Sequence, residues 1–406
     1  MSIRIGMAIA ALLVTSSSAA QAYRYEMVPI WSIDADRGDD VIFGRIEDVV
    51  IDARNNAYVL DSQLVQVRVI DAEGKLRTTL GREGDGPGEL RAPGSLVLMP
   101  AGTLGAVSRQ FSRITTLDPE SGEPRGAVLL EGMDSPLIQL GRVHGVGAGG
   151  SDRKPGLVGI VGEPQITNRG KLDYRVRMSM AVFPCVPGGD PVPPLREILE
   201  VGLTQGKDVE EENYFRLWEP WTALDGGLIA VAPYWSEYLI RWIDLDGTVR
   251  AEARRPFAHR PRTDAEKRRL LNFLWGGISP AEFGIELVPS ETEAAIRSIH
   301  ARPGGEVWVR TSRAGEGRER GIFLALDAFD SDGEFRGAVE IAGPGDESLD
   351  RFYFGADNYL VVVHGAERFI RSAGIQGRDE EGHALRLAAY RLVPTDTRSG
   401  GDPHGR

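Results

Sequence analysis

The scarce reactive side chains of this 406-residue chain are six histidines and a single cysteine. Three of the histidines sit close to apolar runs: His144 and His300 near the starts of two of them, and His364 just after a third. Imidazoles converging from three separate segments could hold one divalent metal, zinc or calcium. A metal so held would activate water or polarise a substrate, the chemistry of a hydrolase or a lyase. Coincidence among six histidines is the simpler explanation of the same three positions. Cys185 has no second cysteine to pair with and no histidine near it in sequence, and reads as a buried structural thiol. The chain has no GxSxG elbow, no HExxH helix, no P-loop and no EF-hand. Asp330-Ser-Asp-Gly333 begins like a calcium loop but lacks the glutamate at the twelfth place, so it reads as a turn. The Gly-rich run after His144 lacks the following helix that a dinucleotide site needs.

A second set of residues points to binding rather than catalysis. Gln63, Arg109, Gln110, Glu163, Tyr234, Trp235, Arg310, Arg313 and His364 fall in comparable positions, each shortly after an apolar run. Guanidiniums, an aromatic pair and an imidazole gathered at one mouth would suit an anionic or sugar-like small ligand, or a segment of protein. For any one of them alone, ordinary loop solvation is the simpler explanation.

The positions are comparable because the chain repeats. The run from Asp48 to Leu90 reads strand, polar turn, strand, short loop, strand, Asp71-Ala-Glu-Gly74 turn, strand and a Gly/Pro-rich exit. Weaker copies follow, with second strands starting near Tyr58, Leu104, Leu157, Leu228, Val307 and Leu360. The shortest spacing matches a bare propeller blade of about 40–50 residues, and the longer ones imply insertions. A four-stranded unit cannot bury both its faces alone, so repetition implies a radial assembly. The sixth copy runs out after three strands, while Tyr25 to Ile33, YEMVPIWSI, is a strand left over at the other end. The expectation is an all-β, six-bladed propeller over residues 23–394, closed by that N-terminal strand joining the last blade, which removes open sheet edges. Pro29 fits an outer strand.

The segment YVLDSQLVQVRVIDAEGKL, followed by LGREGDGPGEL, resembles the NHL repeat of six-bladed β-propellers. The tail GREGDGPGEL is similar to blade ends of exported bacterial propellers. The likeness covers about one blade and implies fold far more than activity. It also implies that Asp61 is structural, tying down its turn. Some propellers of this kind are metal-dependent lactonases or lyases, but the lactonase ligand pattern has no counterpart here.

The two largest insertions, 203–220 and 257–296, both link one unit to the next and so leave the same face as the candidate loops. Thr263 and Glu266 form a capping box before KRRLLNFLW, a helix that Gly276-Gly277 would end. Trp218 and Trp221 flank Pro220 in the first insertion, where an exposed indole would mark a binding surface. At the front, Arg4, the apolar run IGMAIAALLV and Ala20-Gln21-Ala22 form a Sec signal peptide over residues 1–22, which sends the protein to the periplasm or beyond. The formal charge of −12 argues against nucleic acid as a partner. The chain reads as a monomer without a transmembrane segment and with a disordered tail over 395–406. Its expected role is a cofactor-free binding scaffold; the alternative is the metal-dependent hydrolase or lyase.

Overall fold

The computed structural model describes residues 21–34, 43–99, 102–108, 113–129, 139–146, 156–166, 174–184, 196–205, 208–214, 220–274, 286–367 and 385–395. Most of the expected leader, Arg109, Gln110, Cys185, Trp218, Gly276-Gly277 and the tail from residue 396 lie outside them. A long strand comes first, β1 (Gln21–Asp34). The leading repeat is β2 (Ile46–Ile51), β3 (Ala57–Asp61), β4 (Gln66–Ile70) and β5 (Leu76–Leu80), paired antiparallel in that order. A second sheet repeats it with β6 (Pro93–Leu98), β7 (Leu104–Ser108), β8 (Arg113–Leu117) and β9 (Pro124–Leu129).

The third unit has longer strands, β10 (Gln139–Val146), β11 (Gly156–Ile166), β12 (Tyr174–Pro184) and β13 (Arg196–Gln205). The short β14 (Asp208–Glu210) and α1 (Glu211–Tyr214) follow. The fourth unit is β15 (Trp221–Ala223), β16 (Leu228–Val231), β17 (Leu239–Asp244) and β18 (Val249–Arg254). Then come α2 (Asp264–Leu274) and β19 (Glu286–Val288). The fifth unit is β20 (Ile296–Ala301), β21 (Val307–Thr311), β22 (Ile322–Phe329) and β23 (Phe335–Ala342). Last are β24 (Arg351–Phe354), β25 (Tyr359–His364) and β26 (Arg386–Thr395). The second strands begin within one residue of their expected starts. Among the described residues, no helix is long and apolar enough to cross a membrane.

Local chemistry explains the repeat. Asp71, Asp118, Asp244 and Asp330 each open a third-to-fourth-strand turn whose glycine, Gly74, Gly122, Gly247 or Gly333, donates its N–H back to the aspartate carbonyl. At Gly74 φ is +89°, and an added Cβ would lie 2.5 Å from Trp31, so conformation and space both demand glycine. Each aspartate also pairs with an arginine on the next strand: Arg77 at 3.8 Å, Arg125 at 2.7 Å, and Arg250 and Arg336 in close contact. The Asp-x-x-Gly half of this unit was expected, Asp118–Gly122 being one residue longer, and the arginine three residues after the glycine completes it. Asp330 thus belongs to a blade turn, as its sequence context implied.

Packing assembles the sheets. Every residue of β3 and of β7 is buried, because the two faces of a strand press on two different neighbours. Buried groups join successive units in turn. Leu60 and Val67 meet Leu96 and Leu104, and Val97 and Val107 meet Leu157. Val158 and Val182 pack with Ile229, Ala230 and Ile240 with Ile299, and Leu326 with Val362. A further group packs Tyr359, Val361 and Val363 of β25 on Val49, Ala57 and Val59 of the leading repeat, so the last unit lies against the first. Trp221 and Trp242 are fully buried between the sheets. The result is a β-propeller, with the first strand of each unit nearest the axis.

β1 pairs antiparallel with β26 from Arg24↔Thr395 to Asp34↔Arg386, with an irregularity after Pro29. Its first residues also pair parallel with β23, from Gln21↔Gly337 to Glu26↔Ala342, so eight strands form one continuous sheet. The expected leader boundary after Ala22 therefore falls inside β1, and Thr395, expected to begin the tail, ends β26. The two insertions also differ from the loops expected of them. Residues 203–205 extend β13, and β14 pairs parallel with β19, which adds two short strands to the outer edge of the third sheet.

Candidate functional site

Antiparallel strands send the second-to-third-strand loops and the unit-to-unit links to one face, here called upper, and the remaining turns to the lower face. Between them, an axial cavity of about 260 Å³ is lined by Asp48–Ile51, Leu96–Leu98, Val143–Gly145, Thr222–Ala223, Ile299–Ala301 and Phe352–Phe354. These come from β2, β6, β10, β15, β20 and β24. Edge N–H groups of such inner strands need acceptors, and the Asp48 carboxylate supplies one by accepting from Leu96 N at 2.8 Å.

Both inner histidines line this cavity. The His144 ring meets Trp221 edge-on at 4.6 Å. His300 packs 4.9 Å from Phe352 and 5.4 Å from Phe354, with Nε2 2.8 Å from Ser298 Oγ. They lie toward the ends of β10 and β20 rather than near their starts. His364 is elsewhere, because it ends a second strand and so sits outward from the axis. Its Nδ1 is 2.8 Å from Asp350 Oδ2 and its Nε2 3.0 Å from the Tyr390 hydroxyl. The three imidazoles are therefore not brought together at the channel. Among the described residues, no three His, Cys, Asp or Glu side chains are grouped to hold a metal ion.

Burial pushes Asp350 upward, but hydrogen bonds from His364, Gly365 N and Asp346 N outweigh it and hold the carboxyl below its ordinary value. Burial raises the Tyr390 hydroxyl. This group is a buried clamp on the last unit.

The other candidate residues divide sharply. Gln63 is exposed, and Tyr234 is exposed with the Arg241 guanidinium 5.5 Å from its ring centre. Trp235 is buried; its indole N–H donates to Thr292 O and its carbonyl accepts from Ala295 N, which anchors the second insertion. Arg310 donates to Glu347 O at 2.8 Å, and Glu347 also binds Arg318 at 2.6 Å. Arg313 donates to Ala258 O and to Glu316. Glu163 is not in a loop at all, since β11 runs on to Ile166 and its register sets Glu163 opposite Arg177. Trp221, read as a possible surface indole, is fully buried at the start of β15. Asp61 is structural: its buried carboxylate accepts the N–H groups of Gly44, Arg45, Gln63 and Leu64.

The main feature that sequence reasoning missed joins the two insertions. Glu211 receives both Arg262 guanidinium nitrogens, at 2.6 and 3.1 Å, and Ser290 N at 2.9 Å. The Glu211 and Arg262 side chains are only 4% and 8% exposed. α2 begins with the expected capping box: Thr263 N donates to Glu266 at 2.7 Å and Glu266 N to Thr263 Oγ1 at 3.3 Å. Hydrogen bonds from Arg260 and then Thr263 lower the Glu266 carboxyl to about 2. The insertions, both of which leave from the upper face, are thus braced against each other.

No known family model matches the chain, and no curated protein resembles it in sequence. Solved structures similar to it include a putative exported protein from Bacteroides fragilis, 11% identical over 92% of this chain and 97% of that one, with a TM-score of 0.47. A member of the DUF4221 family from Bacteroides vulgatus is 10% identical over 92% and 99%, also at 0.47. A streptogramin B lyase is 9% identical over 92% and 98%, at 0.41. Likeness at this level extends to no activity, ligand or partner.

Proposed function

We propose that this chain is an exported six-bladed propeller, of the NHL-like kind, whose ring is closed by β1 and whose upper face is a binding scaffold for a protein segment or a small polar or anionic ligand. Six inner strands around one cavity, and the packing of the last unit on the first, support the closed ring. The observation that carries the binding role is this bracing: two insertions far apart in sequence, both leaving from the face that already carries the candidate loops, are held together by a buried Glu211–Arg262 pair. Gln63 and Tyr234 of that face, together with the sequence candidates Arg109 and Gln110, are the residues we assign to contact.

The test is capture from envelope extracts by the mature protein and by a Gln63→Ala, Arg109→Ala, Tyr234→Ala variant. A specific partner or ligand held by the first and lost by the folded variant is expected. Equal capture by both would remove these loops from the proposal. The alternative, a metal-dependent hydrolase or lyase, would have to use His144 and His300 in the channel with ligands other than His364. Metal analysis of protein purified without chelators or affinity histidines addresses it, and near-stoichiometric zinc or calcium would favour it.

A further inference from the structure

A second concavity lies on the opposite face. Because β1 pairs with β23 and β26 at once, the wedge between the fifth sheet and the last is walled off on its outer side. On the lower face, a cavity of about 440 Å³ opens into this wedge. Its size falls within the range of small-molecule sites. Tyr23, Tyr25 and Trp308 form an aromatic wall, the Tyr25 and Trp308 rings lying 5.7 Å apart. Glu306, Asp330 and Arg336 supply the polar side.

The polar groups are fixed in place. Trp308 Nε1–H donates to Glu306 Oε1, and Arg336 pairs with Asp330. Among the described residues, Glu306 Oε2 and the Tyr25 hydroxyl have no hydrogen-bond partner. Behind the wall, buried Arg302 stacks 4.3 Å from the Trp308 ring and donates to Asn358 at 2.9 Å. The lining thus carries two carboxylates and one guanidinium, with Arg302 behind Trp308 and Glu334 4.0 Å from Arg336. Acceptor, donor and aromatic face stand side by side here, so a neutral molecule rich in hydroxyls can donate to Glu306, accept from Arg336 and lay an apolar face on a tyrosine ring.

We propose that this pocket binds a neutral mono- or disaccharide. The site is independent of the upper-face loops. Saturation-transfer NMR and calorimetric titration with glucose, galactose, N-acetylglucosamine, maltose and cellobiose test it on the mature protein. At least one sugar is expected to bind, with affinity reduced tenfold or more by Tyr23→Ala and by the isosteric Glu306→Gln. Tyr25→Phe, which removes only a hydroxyl, should weaken binding severalfold. The upper-face Gln63→Ala, Tyr234→Ala variant should bind that sugar as the parent does. Circular dichroism and melting confirm that the variants are folded. The proposal is overturned if no sugar of the panel binds, if binding survives both Tyr23→Ala and Glu306→Gln, or if tetramethylammonium binds there in preference to every sugar.

Discussion

The two faces of the molecule use charged residues in opposite ways. On the lower face, aspartate and arginine pair within one unit, six or seven residues apart, with the aspartate tucked into its turn and the arginine largely in solvent, as at Asp71–Arg77 and Asp118–Arg125. On the upper face the least exposed pairs join segments far apart in the chain, as at Glu211–Arg262 and Arg310–Glu347. A local pair shapes a turn; a distant buried pair holds units together. Residues that look like ligands in sequence can therefore be cross-links in the fold, as Trp235, Arg310 and Arg313 are.

The largest expected effect comes from breaking the distant class. Glu211→Ala leaves the Arg262 guanidinium buried and unpaired, which should cost about 3–5 kcal/mol in chemical denaturation. Replacing both partners by apolar residues should cost much less. Asp61→Ala strands four backbone N–H groups at the first upper loop, for a loss on the order of 1–3 kcal/mol or more. A cost under about 0.5 kcal/mol would show that water replaces the carboxylate there.

Gly74→Ala tests the local class at its tightest point. Positive φ and the Trp31 contact predict a loss of about 1–3 kcal/mol, whereas Gly226→Ala, at a positive φ with nothing near its Cβ, should lose less. The acid response sharpens the comparison further. Asp350 has a lowered pKa in the fold, so its contribution is complete above the ordinary aspartate value and is lost as pH falls through the folded value. The stability difference between the parent and Asp350→Asn should thus shrink below about pH 4. Smallest of all, Arg250→Ala or Arg336→Ala on the lower face should change stability by about 0–1 kcal/mol, read as a small shift in denaturation midpoint.

How much was legible follows from range. The starts of the second strands, the Asp-x-x-Gly turns and the Thr263–Glu266 cap were readable, because each rests on alternation or hydrogen bonds between residues close in the chain, and the resemblance to the NHL repeat pointed to the structural role of Asp61. Burial of Trp221, the outward place of His364, the strand position of Glu163 and the β14–β19 pairing were not. Each depends on which segment another unit presents, and no period in the sequence encodes that.

By itself, then, the sequence determined the repeating strand-and-turn unit and supplied a strand at each end of the chain, since alternation and turn chemistry act over a few residues. Only the tertiary structure decided which polar side chains became cross-links, which histidines reached the axis, and that β1 would join two neighbouring sheets and enclose a pocket. Those outcomes depend on burial and hydrogen-bond satisfaction among segments tens to hundreds of residues apart, and they exist only once the units have packed.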